Sequence, residues 1–152
     1  MSSGVTNRGK YLIFLEYFRN PTEVANLYVA LVTGATAPSV TTNLMSDLTE
    51  IAAGNGYTAG GLSLTRNATD FDVASEDDTG NLAKVQLKDQ VWTASGGLLP
   101  ASGAGARYAV LTTDEVTVGA RQVIAWWDLL TDRAVGSGQA ITLQDCELRA
   151  TE

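Results

Sequence analysis

Alternation of apolar and polar residues runs through most of the chain and predicts strands. In the segment 26–33 both alternating sets are apolar, since Leu27, Val29 and Leu31 interleave with Tyr28, Ala30 and Val32. A strand that is apolar on both faces is covered on both, so we expect it at the centre of a sheet. Further strand-like runs follow at 62–65, 71–73, 82–92, 106–112, 122–130 and 140–148.

One segment near the start follows a helical period instead. The predicted helix covers residues 8–20, with Asn7 as its N-cap and Asn20-Pro21 as its stop, because proline disfavours a helical residue before it. Four apolar residues are expected on one face with Phe14 beside them: Tyr11, Leu12, Leu15 and Phe18. A helix with so many large apolar residues needs cover, from its own sheet or from a neighbouring subunit.

Turn-forming glycines and a second short segment with a helical period complete the pattern. The spacing at 45–52 predicts a short helix, capped by Asn43 or Ser46 and ended by Gly54. The pairs Asn55-Gly56 and Gly60-Gly61 predict tight turns.

The predicted fold class is mainly β, an antiparallel sandwich or small barrel of about seven strands with one or two short N-terminal helices. The predicted domains are an N-terminal arm at 1–10 and a single β-rich domain at 11–152.

The charge of the chain limits the classes of partner that it is expected to bind. The chain of 152 residues has a formal net charge of −7, and its ten basic residues are scattered singly. Without a basic stripe, we expect no nucleic-acid partner and no anionic membrane surface. No apolar run approaches the ~18 residues of a membrane span, and the N-terminus lacks the pattern of a signal peptide. The expectation is a protein made in a cytoplasm.

Few residues of the chain are suited to catalysis or to metal binding. The chain contains no histidine, the commonest general base and metal ligand. Its one cysteine, Cys146, is interpreted as a small buried or edge residue, with a reactive thiol as the alternative. The loop 56–61 lacks the Lys-Ser/Thr of a phosphate-binding loop. We therefore expect no enzyme, no cofactor and no small-molecule substrate.

Carboxylates concentrate in one place. The cluster consists of Asp70, Asp72, Glu76, Asp77 and Asp78. A calcium loop is one interpretation, since hard cations take clustered oxygen ligands. The spacing does not match the twelve-residue calcium loop, so a solvated strand end and turn is the favoured interpretation and no metal is expected.

Aromatic residues are the best indication of a contact surface. Adjacent Trp126 and Trp127 in a strand must point to opposite faces, so one can enter the core while the other needs a helix, an interface or solvent. The candidate protein–protein contacts are Tyr11, Phe14, Phe18, Trp126 and Trp127. Stacking on sugars or bases is the alternative for the tryptophans together with Tyr57 and Tyr108, and a role in the core is favoured over it.

The order and spacing of six segments resemble a family of small virion proteins of tailed bacteriophages, over roughly residues 10–148. The segments are Tyr11 to Asn20, Leu27-Tyr28-Val29-Ala30-Leu31, Gly56-Tyr57-Thr58-Ala59-Gly60-Gly61, Val91-Trp92-Thr93-Ala94-Ser95, Ala106-Arg107-Tyr108-Ala109-Val110-Leu111, and the strand from Ile124 to Leu129.

That resemblance implies a non-enzymatic β-rich protein of the virion, working as a homo-oligomer on a capsid or a tail. The first hypothesis is a capsid decoration (cement) protein, with a trimer favoured, which binds the major capsid protein on the outer surface of the shell. Multivalent docking would add avidity to a modest interface. The second hypothesis is a tail, collar or fibre component that binds tail proteins. A carbohydrate-binding β-sandwich module is a further alternative from another class.

Overall fold

The computed structural model describes residues 2–19 and 24–151, and over these it is mainly β with antiparallel strands. It contains one α-helix and ten strands: β1 (Ser3–Val5), α1 (Asn7–Arg19), β2 (Asn26–Val32), β3 (Leu62–Thr65), β4 (Val73–Asp77), β5 (Leu82–Gln86), β6 (Gln90–Thr93), β7 (Ala106–Thr112), β8 (Val123–Arg133), β9 (Ala140–Leu143) and β10 (Glu147–Thr151).

The largest sheet has five strands in the order β1-β8-β7-β2-β3. Strand β2 pairs with β7 on one side and β3 on the other, with Val29 opposite both Leu111 and Leu62. Strand β2 is therefore an interior strand with a neighbour on each side, although the middle position of the sheet is taken by β7. Its apolar residues are covered on both faces, as predicted.

The two faces of this sheet border two separate hydrophobic cores. Val29 and Leu31 of β2 belong to the larger core, with residues of β6, β7, β8 and β9. Ala30 and Val32 belong to the smaller core, with Met45. The period of two in a strand therefore places alternate residues of β2 in different cores.

Two smaller sheets, β10-β5-β4 and β6-β9, complete the described fold. All three sheets are open, so the expectation of a closed barrel is wrong. Ten strands replace the expected seven because 82–92 and 140–148 are each split in two and β1 adds an edge strand. At the second break Asp145 has φ +53°, a conformation that interrupts strand pairing.

The segment predicted as an arm contains β1 and the first turn of α1. Strand β1 pairs antiparallel with β8, with Gly4 opposite Trp126. The helix N-cap is Thr6 rather than Asn7, because the Thr6 hydroxyl accepts a hydrogen bond from the Gly9 backbone N–H at 2.8 Å. The predicted stop at Asn20-Pro21 lies outside the described residues.

The predicted turn at Asn55-Gly56 is confirmed. Gly54 and Tyr57 exchange backbone hydrogen bonds at 2.8 and 3.1 Å, and Asn55 and Gly56 both have positive φ, 52° and 102°. A side chain at Gly56 would also meet the Thr93 carbonyl oxygen at 2.0 Å, so only glycine fits. The second predicted helix is a single 3₁₀ turn at Met45–Asp47, where Asp47 accepts the backbone N–H groups of Asn43 and Leu44.

Candidate protein–protein interface

Helix α1 is apolar on two sides, and the sheet covers only one of them. Leu12 packs against the larger core, and Leu15 is half-buried. Tyr11 and Phe18 lie on the uncovered side, so the predicted face of Tyr11, Leu12, Leu15 and Phe18 is divided between the protein and solvent. The helical period alone could not show which part of that arc meets the sheet.

The first turn of α1 decides which side docks. A Cβ at Gly9 would lie 2.3 Å from the Ile124 carbonyl oxygen, so only glycine allows this distance between helix and strand. Thr6, fully buried, donates its backbone N–H to the Ile124 oxygen at 2.8 Å and its hydroxyl to the Val123 oxygen at 2.5 Å. These contacts hold the start of α1 against β8 in one orientation.

The side of α1 that points away from the sheet is an exposed aromatic surface. We call it the aromatic face, and the exposed fractions of its residues are Tyr11 51%, Ile13 52%, Phe14 63%, Tyr17 83% and Phe18 73%. The rings contact each other, with centroids 6.2 Å apart for Phe14 and Phe18 and 5.1 Å apart for Tyr17 and Phe18. Exposed apolar patches of this kind mark interaction sites in soluble proteins.

Three of the predicted contact residues lie on this surface, and two of its members were missed. Tyr11, Phe14 and Phe18 are all exposed there. Ile13 and Tyr17 were not among the candidates, although Tyr17 is three positions after Phe14 and therefore beside it on a helix. That spacing was the available indication in the sequence.

A groove of about 710 Å³ opens beside the covered side of the helix. Its described lining is mostly apolar and includes Leu12, Leu15, Leu27, Phe71, Val85, Leu111, Ile124 and Leu148. At its rim Arg66 pairs with Glu16 of the helix at 3.4 Å and donates to the Val24 oxygen at 3.2 Å. The ion pair joins α1 to the loop after β3.

The two adjacent tryptophans point to opposite sides of the sheet, as predicted. Trp127 is 2% exposed in the larger core, and its Nε1–H donates to the Glu147 oxygen at 3.2 Å. Trp126 is half-buried against the smaller core and lies beneath Gly4, where a Cβ would approach the ring to 2.4 Å. Trp127 is therefore inside the protein and not at a surface, while Trp126 is largely covered by β1.

Two of the other aromatic candidates for stacking on a ligand also lie inside, while Tyr108 is half-buried against the smaller core. Trp92 and Tyr57 are 1% and 3% exposed, with ring centroids 6.5 Å apart. The Tyr57 hydroxyl donates to Glu50 Oε1 at 2.7 Å and accepts the Leu31 N–H at 3.0 Å. Burial raises the pKa of Tyr57 well above its usual value, so this phenol stays protonated and structural.

The acidic cluster does not converge on a common point. Asp70 is buried, accepts the Thr65 N–H at 2.7 Å and pairs with Lys88, whose hydrogen bond holds the pKa of this carboxyl below its usual value. Asp77 instead accepts the N–H groups of the turn at Thr79 and Gly80. Within residues 2–19 and 24–151, no three acidic, cysteine or histidine side chains gather as metal ligands.

Cys146 is buried, and its expected reactivity is low. Burial raises the pKa of the thiol to about 12, with the charges of Asp145 and Asp89 adding to the effect. At pH 8 we expect no measurable reaction of the folded protein with an aromatic disulfide reagent over minutes, because the thiolate is the reacting species. Unfolding in urea should release one reactive thiol per chain. Rapid labelling of the folded protein would contradict this placement.

None of the described helices combines the length and the apolar character needed to cross a membrane. Comparisons of the chain with protein-family models, with curated proteins and with solved structures find no match in any of the three. The functional conclusion therefore depends on the aromatic face of α1 and on the chemistry around it.

Proposed function

We propose that this chain is a structural protein of a bacteriophage particle, a capsid decoration protein that binds the outer shell as a homo-oligomer, with a trimer favoured. The observation that carries the proposal is the aromatic face of α1, which is exposed in the single chain. That the particle is a bacteriophage virion is proposed from the resemblance of the ordered sequence segments to small virion proteins. The major capsid protein is the proposed partner.

The size of the aromatic face supports a role in assembly. Four rings, each of about 200 Å², leave roughly 500 Å² of aromatic surface accessible at the observed exposures. A standard interface buries about 800 Å² per partner, so this face would form more than half of one. Aromatic residues are also the side chains that dominate binding energy at protein interfaces.

The way α1 is held also supports a docking role. Thr6 and Gly9 fix the start of the helix to β8, so its rings are presented on an ordered element. A surface that is already ordered loses less conformational entropy on binding. When these faces join copies into an oligomer, several capsid-binding surfaces are presented together, and avidity would then strengthen a modest single contact with the shell.

We further propose that the open sheets pack as a sandwich. The larger core joins β2, β7 and β8 of the five-stranded sheet to Trp92, Ile141 and Leu143 of the β6-β9 pair. Such a layered core is a common scaffold for surface-binding proteins. A sandwich fold does not by itself identify the binding partner, because one fold serves many functions.

The carbohydrate-binding alternative receives less support. Three of the five aromatic residues considered for stacking, Tyr57, Trp92 and Trp127, are almost fully buried. A sugar ring needs an exposed aromatic platform, which these residues do not offer. The tail, collar or fibre location remains the second structural proposal, distinguished by its binding partner.

The test uses the wild-type protein and the double variant Phe14→Ser/Phe18→Ser. Particles of the phage that carries this gene, assembled without the chain, are sedimented with each purified protein. We expect wild type to bind isolated heads and the double variant to lose at least ~30-fold in affinity, about 2 kcal/mol or more. Binding to isolated tails instead would favour the second structural proposal.

Leu98→Ser is the matched control, because Leu98 is 64% exposed and Phe14 is 63% exposed. The control replaces an equally exposed apolar residue outside α1 and should bind like wild type. Wild-type protein that binds neither heads nor tails would refute the proposed function. Far-UV circular dichroism of each variant should match wild type, which separates loss of binding from loss of fold.

A further inference from the structure

The charge of α1 is opposite to that of the rest of the chain. The helix carries Arg8, Lys10 and Arg19 against the single acid Glu16. The remaining 139 residues carry seven basic and sixteen acidic side chains, so a net charge of +2 stands against one of −9. A surface of this kind favours an acidic partner.

The basic groups border the aromatic face directly. The Arg8 guanidinium carbon lies 5.7 Å from the centroid of the Tyr11 ring, and Lys10 is exposed. Glu16, the only acid of the helix, is turned to the covered side, where it pairs with Arg66 at 3.4 Å. No described acid of α1 therefore lies on the aromatic face to neutralise a second basic helix.

This arrangement disfavours a symmetric contact between two copies of the same helix face. In such a contact the basic residues of one copy, Arg8, Lys10 and Arg19, would meet those of the other without an acid of α1 between them. A head-to-tail contact avoids that repulsion, because the basic face meets a different surface of the neighbour. Contacts of this type close into rings when the rotation between copies allows it.

We infer that the aromatic face of α1 docks on the acidic β4–β5 hairpin of a second copy of this chain, in a head-to-tail contact. The hairpin and the residue before it carry four exposed acids, Asp72, Glu76, Asp77 and Asp78. Its one basic residue, Lys84 of β5, is paired with Glu147 at 2.6 Å. Strand β4 is also an edge of its sheet. This inference rests on the proposed function, since it specifies how the homo-oligomer is built.

The test mixes two variants, each defective in one surface. The helix variant is Phe14→Ser/Phe18→Ser, and the hairpin variant is Glu76→Lys/Asp78→Lys. Asp77 is left unchanged because it caps the turn of the hairpin. Light scattering after size-exclusion chromatography measures the mass of each protein alone and of the mixture.

Wild type and Leu98→Ser should be oligomeric, and each defective variant should be a monomer. Their mixture should form a 1:1 dimer, because the intact helix of the hairpin variant still meets the intact hairpin of the helix variant. Raising the ionic strength to about 1 M, where the screening length is ~3 Å, should weaken the wild-type oligomer. Circular dichroism confirms that both variants are folded.

Several results would overturn the inference. They are a monomeric wild type, either variant retaining the wild-type mass, or a mixture that stays monomeric. Wild-type binding to phosphatidylglycerol vesicles that the helix variant loses would also overturn it, because the aromatic face would then be a lipid anchor. Monomeric wild type that still binds phage heads would leave capsid binding standing, while the homo-oligomer and its head-to-tail contact fail.

Discussion

Trp127→Ala is expected to lower the free energy of unfolding by about 3–5 kcal/mol, the largest stability effect of any substitution considered. The Trp127 ring is 2% exposed and contributes to the larger core. Its removal leaves a cavity and also frees the Glu147 carbonyl, which accepts the indole N–H at 3.2 Å. Because a domain of this size has a total stability of about 5–15 kcal/mol, the loss is at least about a fifth of the total.

Trp126→Ala is the matched control on the adjacent position. Its ring is half-buried, so we expect a smaller loss of about 1–2 kcal/mol, associated with the contact between Gly4 and the ring. Urea unfolding followed by far-UV circular dichroism measures both variants without depending on tryptophan fluorescence. Equal losses for the two variants would show that the assignment of Trp127 to the core and Trp126 to the outer layer is wrong.

Gly9→Ala is expected to destabilise the protein by about 1–3 kcal/mol. This is opposite to the usual replacement of glycine by alanine within a helix, which is stabilising. Intrinsic propensity alone favours alanine over glycine by about 1 kcal/mol. Here the added Cβ would meet three backbone atoms of Ile124, the oxygen at 2.3 Å and the carbonyl and α carbons at 2.9 Å. Backbone atoms within a paired strand cannot move aside cheaply, so the helix must shift outward.

Hydrogen exchange locates the effect of Gly9→Ala. Amides of α1 should exchange faster in the variant, while those of β2 and β7 keep their relative protection. Gly119→Ala is the control, because its Cβ would meet only Ser46 Cβ at an ordinary 3.7 Å, and a change below about 0.5 kcal/mol is expected. A Gly9→Ala protein as stable as wild type would mean that α1 lies farther from β8.

Such movement of α1 would also alter the candidate interface. The aromatic face is positioned by contacts on the other side of the same helix, through Thr6 and Gly9. A destabilised attachment should weaken particle binding even with every aromatic residue present. Loss of binding in Gly9→Ala with retained circular dichroism would link the docking of the helix to function.

Local pattern was enough to predict several parts of the fold. The doubly apolar β2, the turn at Asn55-Gly56 and the opposite orientations of Trp126 and Trp127 are all as expected. Each depends on side-chain period or backbone conformation within a few residues, which the sequence states directly. The burial of Cys146 was also expected from its type and surroundings.

The boundaries of the strands were harder to predict from the local sequence pattern. The run at 82–92 was predicted as one strand although it alternates only in its middle, yet β5 pairs with β4 and β10 while β6 pairs with β9. The polar residues Lys88, Asp89 and Gln90 mark the break, but the change of pairing partner depends on strands distant in the chain. The pairing of β1 with β8 likewise joins residues near 4 and 126, and the alternation of so short a strand is uninformative.

For the candidate site, the sequence by itself determined that α1 has large apolar residues that need cover from its own sheet or from a neighbouring subunit, and it supplied Tyr11, Phe14 and Phe18. Only the tertiary structure decided which side stays exposed. That choice depends on the close approach of Gly9 to Ile124, a contact across 115 positions of the chain. The helical period of a sequence shows which side chains share a side of the helix. It does not show which side is buried, because that depends on the surface against which the helix packs.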